Sequence, residues 1–206
     1  MARAVISRDK QIDDREVELE EECLKLLALH QPVAADLRLI VAVLKINNDL
    51  ERIGDHAVNI AERAEQLAGL KRVPVPDEIV ELSKQAKLML RKCLLAFVET
   101  DADIAKGVIG TDDLVDELNK RLYDELINRI RRQPDNVEQA VFMLSVCRQL
   151  ERIGDHACNI AEDVLYLLTG DIVRHSGTED SVSRARVTPL RPQAASPKLP
   201  VGDGKH

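Results

Sequence analysis

The hydrophobic positions recur every three to four residues over almost all of residues 4–168, the period of amphipathic helices rather than strands. Ile12, Leu19, Cys23, Leu26 and Leu27 share one such stripe, which predicts a first helix over about 4–30. The same reasoning predicts helices over about 32–68, 77–99, 101–132 and 134–168. Pro32, Pro74, Pro76 and Pro134 fall between the stripes, where proline suits a linker or a first helical turn. Gly69 and Gly170 stand where the second and fifth patterns stop, and Asp101 is a candidate N-cap for the fourth. Gly107 and Gly110 weaken the first turns of that fourth helix. Beyond Gly170 the periodicity ends, and residues 171–206 read as a polar, disordered tail containing the other four prolines.

Two stretches repeat. Residues 50–62 are LERIGDHAVNIAE and residues 150–162 are LERIGDHACNIAE, identical at all but one position. The 100-residue spacing signals a duplicated unit. Upstream, Asp9 and Asp13 match Asp112 and Asp116, again four residues apart in each copy. Each unit is therefore a helix carrying Asp-x-x-x-Asp followed by a helix carrying Glu-x-x-x-Asp. The second unit has a further helix in front of it, about 77–99, and the first has none. The expected organisation is a truncated first repeat over 1–70, a three-helix second repeat over 71–170, and the tail over 171–206. The fold class is all-α: two tandem antiparallel helical bundles with long helices, the first lacking its N-terminal helix. Such a first unit is expected to expose an apolar groove.

Composition adds to this picture. Aromatic residues make up only 2% of the chain, so the core must be aliphatic, as helical packing allows. A net charge of −7 argues against nucleic-acid binding and against an anionic membrane surface. No segment has the length of a spanning helix, and the N-terminus lacks a signal-like apolar run, which makes the cytoplasm the expected compartment. Cys23, Cys93, Cys147 and Cys158 form no CxxC pair and read as reduced core thiols.

On a helical projection of 50–62, Glu51, Asp55 and Glu62 fall within about 40° of one another. Asn48 and Asn59 flank them, and Arg52 and His56 stand at the edge of the arc. Carboxylates four residues apart repel unless a positive charge lies between them. If the paired helices pack antiparallel, Asp9, Asp13, Glu51 and Asp55 can converge. So can Asp112, Asp116, Glu151 and Asp155. These are oxygen-rich sets suited to hard divalent or trivalent cations, one or more per site. Asn48, His56, Asn59 and Glu62, with His156, Asn159 and Glu162, are candidates for a supporting layer around such ions. The competing reading is a solvated polar face in which Arg52 and Arg152 pair with the acids. Gly54 and Gly154 are explained by close helix approach in either case. No Glu-x-x-His, His-Glu-x-x-His, phosphate loop or activated nucleophile is present, so the chain does not read as an enzyme.

The doubled Glu-Arg-Ile-Gly-Asp-His-Ala-x-Asn-Ile-Ala-Glu segment, and the longer run PVAADLRLIVAVLKINNDLERIGDHAVNIAERA, resemble the PhoU family of phosphate-transport accessory proteins. The resemblance covers about residues 1–170. It implies two three-helix bundles, often dimeric, with multinuclear metal clusters on the Asp and Glu pairs numbered above. The ions would be Fe, Mn, Zn or Mg. It also implies a regulator that represses phosphate uptake and starvation signalling. Its partners would be the phosphate ABC transporter ATPase, a sensor histidine kinase and a second copy of the chain, with no nucleic acid and no membrane insertion. A carboxylate-bridged metalloenzyme, phosphohydrolase or oxygen-activating, is the rival reading. A bundle without metal is a third.

Overall fold

The computed structural model describes residues 1–170, and every regular element among them is helical. The expected tail, 171–206, lies outside the described residues. Helix α1 spans Ala2–His30, α2 Ala34–Ala68, α3 Asp77–Glu99, α4 Ala102–Ile109, α5 Asp112–Arg132 and α6 Val137–Thr169. A single 3₁₀ turn, Pro134–Asn136, leads into α6.

The one departure from the predicted element order is the break between α4 and α5. The 101–132 pattern is continuous, yet the chain turns at Gly110–Thr111. There the N–H of Thr111 bonds the Val108 carbonyl and the N–H of Leu114 bonds the Thr111 carbonyl, both three residues back. This tighter spacing ends one helix and starts another. Asp101 caps α4 as expected, its carboxylate accepting from the N–H groups of Asp103 and Ile104.

Helices α2 and α6 form the centre of the molecule. His56 on α2 meets Gln149 on α6, and His156 meets Asp49, so residue numbers rise along one helix as they fall along the other. The two are antiparallel. Helix α1 packs on α2, while α3, α4 and α5 pack on α6. Helices α1 and α2 are also antiparallel: Asn47 donates to the Glu16 carbonyl (2.8 Å) near the middle of both, and Arg3, at the start of α1, pairs with Glu65, near the end of α2. The aliphatic core concentrates around α6, where Leu82, Met89, Leu122, Leu126, Ile160, Val164 and Leu165 are all sealed from solvent. All four cysteines are buried and unpaired, in line with the reading of core thiols.

The two repeats are unequally covered. Leu122 on α5 is fully buried, whereas Leu19, its counterpart on α1, is 40% exposed. Val115 and Ile12 stand in the same relation, at 1% and 39%. In the second repeat α3 covers this side, and the described residues hold no equivalent helix over α1 and α2. The result is the apolar groove anticipated above. It has a volume of about 910 Å³ and is floored by Ile12, Leu50, Ile53 and Ala57.

Candidate metal centre

In the second repeat, α5 and α6 run antiparallel, with Val115 packed against Gly154 and Asp112 level with Cys158. Asp112 and Asp116 are one turn apart on α5, and Glu151 and Asp155 are one turn apart on α6. This register brings carboxylate oxygens of Asp112, Asp116 and Asp155 within 4.8 Å of one another. Among the described residues this is the one such gathering of three. Glu151 stands one turn before Asp155 at the rim, beside a crevice lined by Asn119, Tyr123 and Arg148.

The electrostatics show how poorly this arrangement suits bare carboxylates. Burial, followed by the charges of Asp112, Glu151 and Asp116, pushes the Asp155 carboxyl up to about 6, with His156 opposing. Burial likewise raises Asp112, with Asp116 and Asp113 adding to the effect and the Cys158 thiol working against it. Asp112 Oδ1 is sealed from solvent and accepts no hydrogen bond. A buried acceptor without a partner costs about 1–3 kcal/mol. A cation among the three aspartates would reverse the mutual repulsion. The residues present therefore fit a hard or borderline metal ion, with Asp112, Asp116 and Asp155 as its oxygen donors and Glu151 within the same helical turn of the site.

The first repeat repeats the pattern in a looser form. Burial and the charges of Asp13 and Asp55 raise Asp9. Burial and Asp55 raise Glu51, with Arg52 opposing and Asp13 and Glu16 adding. Asp9 and Glu51 therefore each sense both Asp13 and Asp55. Arg52, however, lies 3.4 Å from Glu51 and 3.5 Å from Asp55. This is the pairing that a solvated polar face predicts, and it partly neutralises the acids without a metal. No ion pair involving the equivalent Arg152 stands beside Glu151 and Asp155 among the described residues. Gly54 has a structural role here: a Cβ on it would come 3.1 Å from Ile12 Cδ1 and 3.4 Å from Asp9 Oδ1. Gly154 has more room, the nearest atom being 3.6 Å away.

The supporting residues divide into two groups. Asn48 and Glu62 are exposed on α2, Asn59 is half-buried, and Glu162 continues the acidic stripe of α6 one helical stretch beyond Asp155. His56, His156 and Asn159 instead face the junction between the repeats. His156 Nδ1 lies 2.8 Å from Asp49 Oδ1, which also accepts from Asn159 at 3.4 Å. His56 Nδ1 lies 2.7 Å from Gln149 Oε1, and the two imidazole rings are 5.3 Å apart. Asp49 and Gln149 are themselves equivalent positions, 100 residues apart, so the two clasps are copies of one contact across a pseudo-two-fold axis. Burial lowers His56 toward its neutral form, Gln149 opposing and His156 and Arg152 reinforcing the shift. Sequence periodicity separates each histidine from its neighbouring aspartate by about 100° but gives no sign of what it meets. The repeat spacing makes 49 equivalent to 149 and 56 to 156, so that one clasp implies the other, but the pairing itself comes from the packing of α2 on α6.

The fold and site define a duplicated helical-bundle protein with a carboxylate cluster on the second repeat and a looser acidic set on the first. The PhoU domain model matches residues 1–64 and 79–164, and the chain belongs to that family. It is 42% identical over 171 residues to a phosphate-specific transport system accessory protein PhoU homolog of Clostridium acetobutylicum, covering 82% of this chain and 78% of that one. A homolog of the same description from Aquifex aeolicus is 43% identical over 175 residues, covering 85% of this chain and 79% of its own length. The crystal structure of PhoU from Pseudomonas aeruginosa superposes with a TM-score of 0.81 at 40% identity, covering 82% of each chain. The phosphate transport system regulatory protein PhoU from Streptococcus pneumoniae gives a TM-score of 0.78 at 31% identity, over 84% of this chain and 81% of its own. No described helix is long and apolar enough to cross a membrane.

Proposed function

We propose that this chain is a metal-binding regulatory adaptor of a phosphate transport system. In this role it restrains phosphate uptake and phosphate-starvation signalling by contacting the phosphate ABC transporter ATPase and a sensor histidine kinase. Its relatives carry the description of accessory proteins of phosphate-specific transport, which supplies the pathway. The observation that carries the metal part is the convergence of Asp112, Asp116 and Asp155, whose carboxylate oxygens lie within 4.8 Å of one another. A bound cation supplies positive charge that ties α5 to α6 and fixes the surface the two helices present. The aspartates hold it, and the histidine clasps keep α6 in register with α2, so that one repeat's site reports on the other's helix.

The absence of a nucleophile with a positioned base keeps the adaptor reading ahead of the metalloenzyme alternative. Capture experiments test it. Immobilised full-length chain, loaded with Mn²⁺ or Fe²⁺, is expected to retain the transporter ATPase and the sensor domain of the kinase. The Asp112→Asn plus Asp155→Asn variant should retain much less. Failure of the loaded wild-type chain to hold either partner, together with phosphoester turnover that the variant lacks, would replace the adaptor with an enzyme.

A further inference from the structure

In the second repeat, α3 lies across α5 and α6. Its Ile79, Leu82, Ala86, Met89, Cys93 and Ala96, spaced alternately three and four residues, are all 8% exposed or less. Met89 packs over Gly154, its Sδ 3.7 Å from where a Cβ on that glycine would stand. Leu150 and Ala157, in the same core, are 5% and 0% exposed. The first repeat has the same floor without the cover. Residues 50–57 are identical to residues 150–157. Leu50, Gly54 and Ala57 line the 910 Å³ groove, and Leu50 and Ala57 are only half-buried. Leu90 of α3 forms part of its wall, so an occupant of the groove touches both repeats.

We propose that the groove between α1 and α2 is a docking site for an amphipathic helix of another protein, seated as α3 is seated on the second repeat. Such a helix carries aliphatic residues at alternating three- and four-residue spacing and basic residues on its flanks. The duplication argues for the first property: an identical floor selects the same kind of ridge. Charge argues for the second. The groove lining sets Asp14, Glu16, Glu18 and Glu51 against Arg8 and Arg15, and Arg15 is itself engaged by Glu18 at 2.7 Å. Helix α3 has both properties, since Lys84, Lys87, Arg91 and Lys92 are exposed beside its buried stripe. A second copy of the chain fits less well. Face to face, two copies set one hollow against another, and the α3 stripe of each is sealed inside its own second repeat. Docking of this kind does not depend on a bound cation.

The probe is a fluorescently labelled peptide of residues 77–99, added to the full-length chain with chelator and reductant present. Fluorescence anisotropy should show saturable binding, and raising salt from about 0.1 M to about 1 M should weaken it. A peptide carrying Leu82→Glu and Met89→Glu should bind at least about tenfold more weakly, a control that leaves the fold of the chain untouched. Ile12→Glu in the chain, with circular dichroism to show that it is folded, should cost as much. Ala57→Phe, which fills the groove floor with an apolar ring, serves if the Ile12 variant fails to fold, and it too should cost at least about tenfold. No binding of the unaltered peptide overturns the proposal. So does binding unchanged in the folded groove variants, which would mean that the peptide exchanges with α3 in the second repeat. Binding that salt leaves unchanged overturns the basic half of the description. A dimer of the chain in sedimentation that Ile12→Glu dissociates and the peptide does not would give the groove to a second copy and overturn the proposal as well.

Discussion

Asp155→Asn separates the cost of the acidic cluster from its use. In the metal-free chain the Asp155 carboxyl is pushed up from 3.8 to about 6, first by burial and then by Asp112, Glu151 and Asp116. Each unit of such a shift corresponds to about 1.36 kcal/mol, so the unscreened upper bound is ~3 kcal/mol. Asp155 reaches solvent at the rim of the cluster, and screening of exposed charges reduces the effect to about 1 kcal/mol. The sign follows from linkage. A carboxyl whose folded value is raised holds its proton more tightly when folded. Relative to the neutral asparagine, aspartate carries no penalty below pH ~4 and a growing penalty as pH rises through 6. With chelator present, wild type and Asp155→Asn should therefore melt alike near pH 4. Near pH 7 the variant should be more stable by about 1 kcal/mol, some 2–4 °C in Tm. Saturating metal should reverse the order, since a ligand at a hundred times its Kd adds about 2.7 kcal/mol to wild type and little to the variant. Thermal melts by circular dichroism at the two pH values, with and without Mn²⁺, read all of this. A variant that melts below wild type at pH 7 without metal, or a difference that is the same at both pH values, would refute the electrostatic reasoning.

Other consequences follow from the packing. Leu122→Ala empties a sealed position and should cost about 2–5 kcal/mol in urea unfolding, whereas Leu19→Ala, at the equivalent but 40% exposed position, should cost under about 1 kcal/mol. Equal costs would contradict the unequal cover of the two repeats. His156→Ala takes the ring from the buried Asp49 carboxylate and should lower stability by about 1–3 kcal/mol, a loss that Asp49→Ala in the same chain should largely cancel in a double-mutant cycle. Additive losses would mean that the clasp is not an interaction. Gly154→Ala should stabilise by about 0.5–1 kcal/mol, because helix propensity improves and the new methyl meets only ordinary contacts. Gly54→Ala should gain less or lose, since its methyl must displace Ile12, and equal melting temperatures for the two variants would count against the close α1–α2 approach.

The parts of this molecule that were legible in the sequence are those set by local period and by duplication. The boundaries of α3 were read to the residue, because prolines and an acidic first turn bracket a clean stripe. The paired aspartates and glutamates were legible because an i,i+4 spacing and a repeat are both visible in one dimension. The Gly110–Thr111 break was not, because the apolar stripe continues through it and only the tighter hydrogen bonds of the turn reveal it. His56 and His156 were placed near the acids by adjacency, but their partners, Gln149 and Asp49, come from the opposite repeat. Cys158 was legible as a core thiol because its neighbours are apolar, and it is buried among them. Its contact with Asp112 depends on the register of α5 against α6, which periodicity does not specify. The two identical segments also conceal that Arg52 pairs with Glu51 and Asp55.

Metal content by elemental analysis, compared between wild type and variants of each repeat, tests the central claim most directly. Full-length chain dialysed against a divalent metal and then against buffer should keep at least one ion per chain. Replacing Asp112, Asp116 and Asp155 together by Asn should remove that ion, while replacing Asp9, Asp13 and Asp55 should leave it bound. Wild-type chain that keeps no metal, or a second-repeat variant that keeps as much as wild type, would contradict the account.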